Sequence, residues 1–304
     1  MEWVKKGLIY CPDRLSSWQN NSFMTPTPFL FNECTIRIYG GFRDREGISR
    51  LGYIDVDADN PRIVKKVSNT PILDIGRPGT FDDNGLILGD VIRVDAKIYL
   101  YYVGFQKAEK VKFLAFSGLA ISDDNGSTFT KYSECPILDR CNNALYFKAI
   151  HSVIRENNIF RIWYALGSNW KMINNQIYPS YYIRYTESED GINFCDNIGS
   201  ECINANKNEY RIGRPRVYKN AQKYEMRYTY DTFDKEYRSG YAESVDGITW
   251  ERMDCKAGLP VSEEGWDSEM LCYPAIFTHK NKTYMFYSGN GMGKTGVGYA
   301  ELKN

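Results

Sequence analysis

Apolar and polar positions alternate in short runs along this chain, and the same order of runs recurs five times. Each unit opens with an extended apolar segment and continues into an aromatic-rich strand, within residues 26–41, 90–104, 152–167, 214–230 and 273–289. Two-residue periodicity rich in Tyr, Phe, Val and Ile predicts strands rather than helices. A third strand, a tight turn and a fourth strand follow. The turns read Ser122–Phe129, Ser188–Phe194 and Ser244–Trp250, with a degenerate version at Asp55–Pro61. Their Ser and Asp side chains can bond the turn's backbone N–H groups, and Gly supplies a positive φ. The closing Phe or Trp pins the turn to the sheet, so a structural role is expected. The units begin at Pro26, Asp90, Ser152, Arg214 and Tyr273, spaced by 64, 62, 62 and 59 residues. A near-constant period built of short strands predicts an all-β fold, a five-bladed β-propeller of four-stranded antiparallel blades.

The fifth unit lacks a fourth strand after Gly296–Asn304, and the other end of the chain supplies a candidate. Trp3–Pro12 resembles the outer strands Phe129–Pro136 and Val64–Pro71. The N-terminal strand is therefore expected to pair into the last blade and close the ring, which removes exposed sheet edges. A single domain over residues 1–304 is expected. Its blades fall near 13–75, 76–140, 141–205, 206–260, and 261–304 plus 1–12.

Composition narrows the partners. Lysine and arginine total 38 against 38 acidic residues, so no global field favours nucleic acid or an anionic membrane. No apolar run reaches the ~18–20 residues that span a bilayer, and Met1–Tyr10 has no signal-peptide core. The eight cysteines (11, 34, 135, 141, 195, 202, 255 and 272) form no CxxC pair and do not cluster with the two histidines. Reduced thiols in a cytoplasmic protein are the expectation, with no zinc site and no cofactor. Gly289–Thr295 has the glycines of a phosphate loop, but it joins two strands and leads into no helix.

In a propeller the innermost strand of each blade lines a central funnel. Residues just before it, and at the end of the second strand, then face one shared pocket. This geometry gathers carboxylates from Gly79–Gly85, Glu209–Arg216 and Gly265–Met270. Asp82, Asp83, Glu209, Asp267 and Glu269 form the candidate catalytic set. Glycosyl transfer needs one carboxylic acid to protonate the leaving oxygen and a second carboxylate as base or nucleophile. Arg43, Asp44, His151, Trp170, Arg211, Arg214, Tyr273 and Asn290 form the candidate substrate-binding set. Aromatic walls hold a sugar, and arginines grip a carboxylate or phosphate on it. Before the first blade, Trp18–Pro26 holds no carboxylate.

At these residues the chain resembles the five-bladed propeller glycosidases of the arabinanase, invertase and levansucrase type, and the related mannoside phosphorylases. The resemblance rests on Ile98–Tyr102, Thr283–Tyr287 and the Ser-x-Asp-Gly turns. The chain is also similar to propeller proteins of surface-polysaccharide gene clusters through Arg43–Asp44, Gly79–Gly85, Gly213–Pro215, Trp266–Met270, Tyr273–Pro274 and Gly289–Asn290. These resemblances imply a carbohydrate-active enzyme acting on glycosidic bonds, with a saccharide or sugar phosphate as substrate. The glycosidases place a base Asp in blade one, a modulating Asp in blade two and an acid Glu in blade three. Asp82 or Asp83 matches the second. Asn20, Asn21 and Ser22 stand in place of the first, and Lys148 and His151 in place of the third. A different acid–base set, transfer from or to a sugar phosphate, and glycan binding without catalysis are the alternatives.

Overall fold

The computed structural model describes residues 2–194, 198–234 and 237–303. Regular structure among them is nearly all β. Strand β1 (Trp3–Tyr10) precedes a first group of β2 (Phe23–Asn32), β3 (Thr35–Arg43), β4 (Ser49–Asp57) and β5 (Val64–Val67). The second group is β6 (Leu86–Val94), β7 (Lys97–Lys107), β8 (Phe113–Ser122) and β9 (Thr130–Lys131). The third is β10 (Phe147–Glu156), β11 (Ile159–Ile173), β12 (Gln176–Ser188) and β13 (Ser200–Ile203). The fourth is β14 (Glu209–Lys219), β15 (Tyr224–Thr232), β16 (Tyr237–Ser244) and β17 (Glu251–Arg252). In the fifth, β18 (Cys272–His279), β19 (Lys282–Ser288) and β20 (Val297–Leu302) are joined by β1. The β1–β20 pairing is antiparallel, running from Trp3 opposite Leu302 to Tyr10 opposite Val297. A short parallel contact between β8 and β10 links the second and third groups.

The apolar core lies in layers between successive groups. Tyr39 and Leu51 of the first pack with Leu86 and Tyr102 of the second, while Tyr101 and Leu119 meet Ile150 and Phe160 of the third. Trp163 and Ile183 then meet Ile212 and Met226, and Phe286 and Tyr299 return to Phe23 and Ile38. Hydrogen bonds follow the same circuit. Ser49 Oγ donates to Leu86 O at 2.5 Å, Val153 N to Asp90 Oδ2 at 2.8 Å, and Val217 N to Ser152 Oγ at 2.9 Å. Ile276 N donates to Tyr218 OH at 2.5 Å, and Ser288 Oγ to Phe23 O at 3.1 Å.

The Ser-x-Asp-Gly turns add a second circuit. In each of them Asp124, Asp190 or Asp246 accepts two backbone N–H bonds through Oδ1 and one bond from the Ser hydroxyl. The turn's glycine carbonyl accepts from an aromatic side chain of the preceding group: Tyr39 to Gly126, Tyr101 to Gly191 and Trp163 to Gly247. Cys11, Cys34, Cys135, Cys202, Cys255 and Cys272 are unpaired, and Cys195 lies outside the described residues. No helix among the described residues is long and apolar enough to cross a membrane.

Candidate functional site

Every first strand carries an irregularity at the same place. Pairing with the second strand slips at Thr25–Pro26 in β2, Gly89 in β6, His151 in β10, Arg214–Pro215 in β14 and Tyr273–Pro274 in β18. A bulge adds one residue to a strand and re-aims its side chain. Thr25, Arg214 and Tyr273 sit at φ of 55°, 58° and 58°. A left-handed backbone at a residue bearing a Cβ costs ~1–3 kcal/mol and concentrates at functional sites. At Gly89 no side chain fits, since an added Cβ would lie 2.5 Å from Ile150 O.

The other four bulge residues, Thr25, His151, Arg214 and Tyr273, line one cavity of about 500 Å³. Arg43 reaches it from the end of β3, Arg211 from β14, and Lys107 and Lys112 from the β7–β8 connection. Phe105, Phe113 and Phe147 supply one aromatic wall. The long β11–β12 hairpin brings Tyr178 and Tyr181 to another, beside Tyr237 from β16. No Asp or Glu is among the described residues that line it.

The electrostatics are correspondingly one-sided. Arg211 pairs with Asp231 at 2.7 Å and lies 5.0–6.0 Å from the ring centres of Tyr178, Tyr181, Tyr210 and Tyr237. Burial opposes its charge, but Tyr181, Tyr237, Tyr210 and Asp231 outweigh burial and hold its pKa above the ordinary arginine value. Arg216, behind the wall, pairs with Asp90 at 2.6 Å. Arg214 has no carboxylate partner among the described residues. Its Nη1 donates to Leu88 O and lies 2.8 Å from His151 Nδ1. Burial, then repulsion from Arg216, brings its pKa down to about 9. Burial, then Arg214 and Arg216, hold His151 well below the usual imidazole range, so it is neutral. An arginine can only donate, so His151 Nδ1 accepts and its proton sits on Nε2.

The structure separates the two candidate sets. Arg43, His151, Arg211, Arg214 and Tyr273 line the cavity. Asp44 instead closes its own loop, accepting Ile48 N and pairing with Arg50 at 2.7 Å. Trp170 packs edge-on against Phe113 at 5.2 Å, and Asn290 Oδ1 accepts the N–H groups of Glu269 and Met270. None of the five candidate carboxylates borders the cavity. Asp82 is buried against Lys131 Nζ at 2.6 Å and Tyr102 OH at 3.1 Å, with Phe81 stacked on Tyr102. Asp267 repeats this arrangement with Lys5 at 2.7 Å, Tyr287 OH at 3.0 Å, and Trp266 stacked on Tyr287. Glu209 makes a two-pronged pair with Arg252 at 2.6 and 2.9 Å. Asp83 Oδ2 accepts Gly79 N at 2.8 Å, and Glu269 is exposed.

Residues that the sequence reasoning passed over are Thr25, Lys107, Lys112, Tyr178, Tyr181 and Tyr237. For Thr25 a signal existed: it stands directly before the first repeat start, as His151 stands before the third.

No family model matches the chain. Among solved structures, a glycoside hydrolase covers 98% of this chain and 90% of its own, with TM-score 0.74 and 17% identity. A thermostable family-43 glycoside hydrolase covers 95% and 92% (TM-score 0.68, 16% identity), and a GH43_1 enzyme from Xanthomonas citri covers 93% and 88% (0.63, 14%). At these identities the likeness is one of fold. Two curated proteins of Mycobacterium tuberculosis, uncharacterized protein Rv1502 of strain H37Rv and uncharacterized protein MT1551 of strain CDC 1551, are each 31% identical over 304 residues, the full length of both partners. The chain belongs to the family of these two mycobacterial proteins.

Proposed function

We propose that the chain is a closed five-bladed propeller that handles saccharides, and that its cavity receives a saccharide carrying an anionic group. One observation carries this reading: the cavity combines aromatic walls with Arg43, Arg211, Arg214, Lys107 and Lys112, and no carboxylate of the described residues borders it. Aromatic faces suit the apolar faces of sugar rings, and guanidinium groups suit carboxylate or phosphate oxygens. The glycoside hydrolases that share the fold support saccharides as the ligand class. A role in surface-glycan metabolism inside the cell is part of the proposal, and the six unpaired cysteines among the described residues fit a reducing compartment. Calorimetric titration with neutral hexoses, hexuronates and hexose phosphates tests the reading. Anionic sugars should bind at least tenfold more tightly than their neutral counterparts; equal affinity contradicts it.

A second reading, favoured by the fold relatives, is glycosidic-bond cleavage with acid and base drawn from Asp82, Asp83, Glu209, Asp267 and Glu269. It requires Glu209 to exchange Arg252 for substrate. Under this reading Glu209→Gln abolishes turnover and leaves the fold intact, and undiminished turnover in that variant removes Glu209 from the mechanism.

A further inference from the structure

The charges around the cavity do not balance. Asp90 answers Arg216 and Asp231 answers Arg211. Arg43 and Arg214 have no ion-pair partner among the described residues, and neutral His151 adds no charge. Two guanidinium charges in or beside a protein interior are costly unless something neutralises them. A sugar carboxylate supplies one negative charge. A phosphate monoester supplies close to two at pH 7.

Unused donors accompany these two charges, and the paired Arg211 and Arg216 also leave Nε without a partner. Arg214, 5% exposed, leaves Nε without a partner, and Arg43 Nε is likewise buried and unpartnered. The Thr25 hydroxyl is buried and unpartnered, although Thr25 lines the cavity. His151 Nε2–H is a further neutral donor. These groups come from four strands, β2, β3, β10 and β14, that meet at the one cavity. Donors arranged around a centre match the three oxygens of a tetrahedral phosphate better than the two coplanar oxygens of a carboxylate. Tyr273 links the two arginines: the Arg214 guanidinium lies 5.9 Å from its ring centre, and Arg43 is near enough to oppose the rise that burial gives its hydroxyl pKa. Lys107 and Lys112, both exposed on the wall, add a field that draws an anion in.

We propose that the anionic group is a phosphate dianion, seated between Arg43 and Arg214 with Thr25 and His151 as neutral donors. This inference rests on the reading of the cavity as an anionic-saccharide site. The phosphate belongs either to a sugar ester or to free phosphate that binds beside a sugar.

Calorimetry with inorganic phosphate, glucose 1-phosphate and glucuronate, on the full chain and two variants, tests it. At least one phosphate probe should bind more tightly than glucuronate. Arg214→Met and Arg43→Gln should each weaken that probe at least about tenfold, the loss expected for one charge-assisted contact. Arg43 is only half-buried and has no partner to strand, so Arg43→Gln keeps the test decisive if Arg214→Met fails to fold. Inorganic phosphate binding as tightly as the ester assigns the site to free phosphate, and extra affinity of the ester assigns it to a sugar phosphate. Glucuronate binding more tightly than both phosphate probes overturns the phosphate assignment and leaves the anionic-saccharide reading standing. If no anion binds, both fall.

Discussion

Two sets of polar residues stand at the starts of the first strands, and the structure uses them oppositely. Asp82, Glu209 and Asp267 precede or open β6, β14 and β18, and each is saturated by a cation on the fourth strand of its own group: Lys131, Arg252 or Lys5. A few residues further on, the bulge residues His151, Arg214 and Tyr273 line the cavity, and Arg214 Nε is buried without a partner. The first set fastens loops to sheets. For Asp267 this also fastens β1 into the last group. The second set leaves hydrogen-bonding capacity unspent. Charge alone therefore says little about which residue serves a ligand, and the state of its partners says much more.

The largest expected effect breaks the fastening set. Asp267→Ala leaves Lys5 with only Ser262 Oγ at 2.8 Å and strands the Tyr287 hydroxyl, and Asp82→Ala strands Lys131 and Tyr102. Removing one partner of a buried pair costs ~3–5 kcal/mol, and the partly exposed lysines bring this to about 2–4 kcal/mol. Urea unfolding measures it, with saccharide affinity of the folded protein unchanged. An affinity loss without destabilisation would move these carboxylates into the site.

Arg214→Met should do the reverse. Anion affinity falls at least about tenfold, while the melting temperature without ligand rises by about 2–5 °C, because an unanswered buried charge is gone. A lower melting temperature would mean that the bonds to Leu88 and His151 outweigh the charge.

A third prediction uses pH. Arg214 faces Arg216, Asp90, His151, Tyr237 and Tyr273, and its pKa is held at about 9. Its charge in the folded protein is lost as pH rises through that value, so anion affinity should fall several-fold between pH 8 and 10. The unfolded chain keeps this proton to higher pH, so the contribution of Arg214 to stability rises over the range from 9 upward. Affinity that stays flat to pH 10 would exclude Arg214 as the anion's partner.

The smallest effect lies in the turns. Hydrogen bonds from turn N–H groups and hydroxyls outweigh burial and hold Asp124, Asp190 and Asp246 at about 2. The stability they add is present above the ordinary aspartate pKa and is lost as pH falls from about 4 to 2. Denaturation followed across this range should show a shallower acid loss for Asp190→Asn than for the wild-type chain.

Much of the strand pattern was legible because it is written locally. Alternation marked the strands, and the Ser-x-Asp-Gly turns carried their own hydrogen-bonding partners within six residues. The likeness of Trp3–Pro12 to outer strands pointed to β1 beside β20. The cavity was legible only where the repeat itself led to it, as at Arg43, His151, Arg214 and Tyr273. Tyr178 and Tyr181 arrive on a hairpin longer than those of the other groups, and no periodicity announces where its tip lies. The carboxylates show the opposite limit. Phe81–Asp82 and Trp266–Asp267 were visible as pairs, but Lys5, which answers Asp267, lies 262 residues away in sequence. Residue type and spacing identify a carboxylate; only the fold identifies what neutralises it.

A crystal structure after soaking with glucose 1-phosphate tests the central claim most directly. The ester should lie within hydrogen-bonding distance of Arg43 and Arg214, with the sugar ring against the aromatic walls and Glu209 still paired with Arg252. A sugar seated against Glu209, Asp82 or Asp267, with those ion pairs opened, would contradict it.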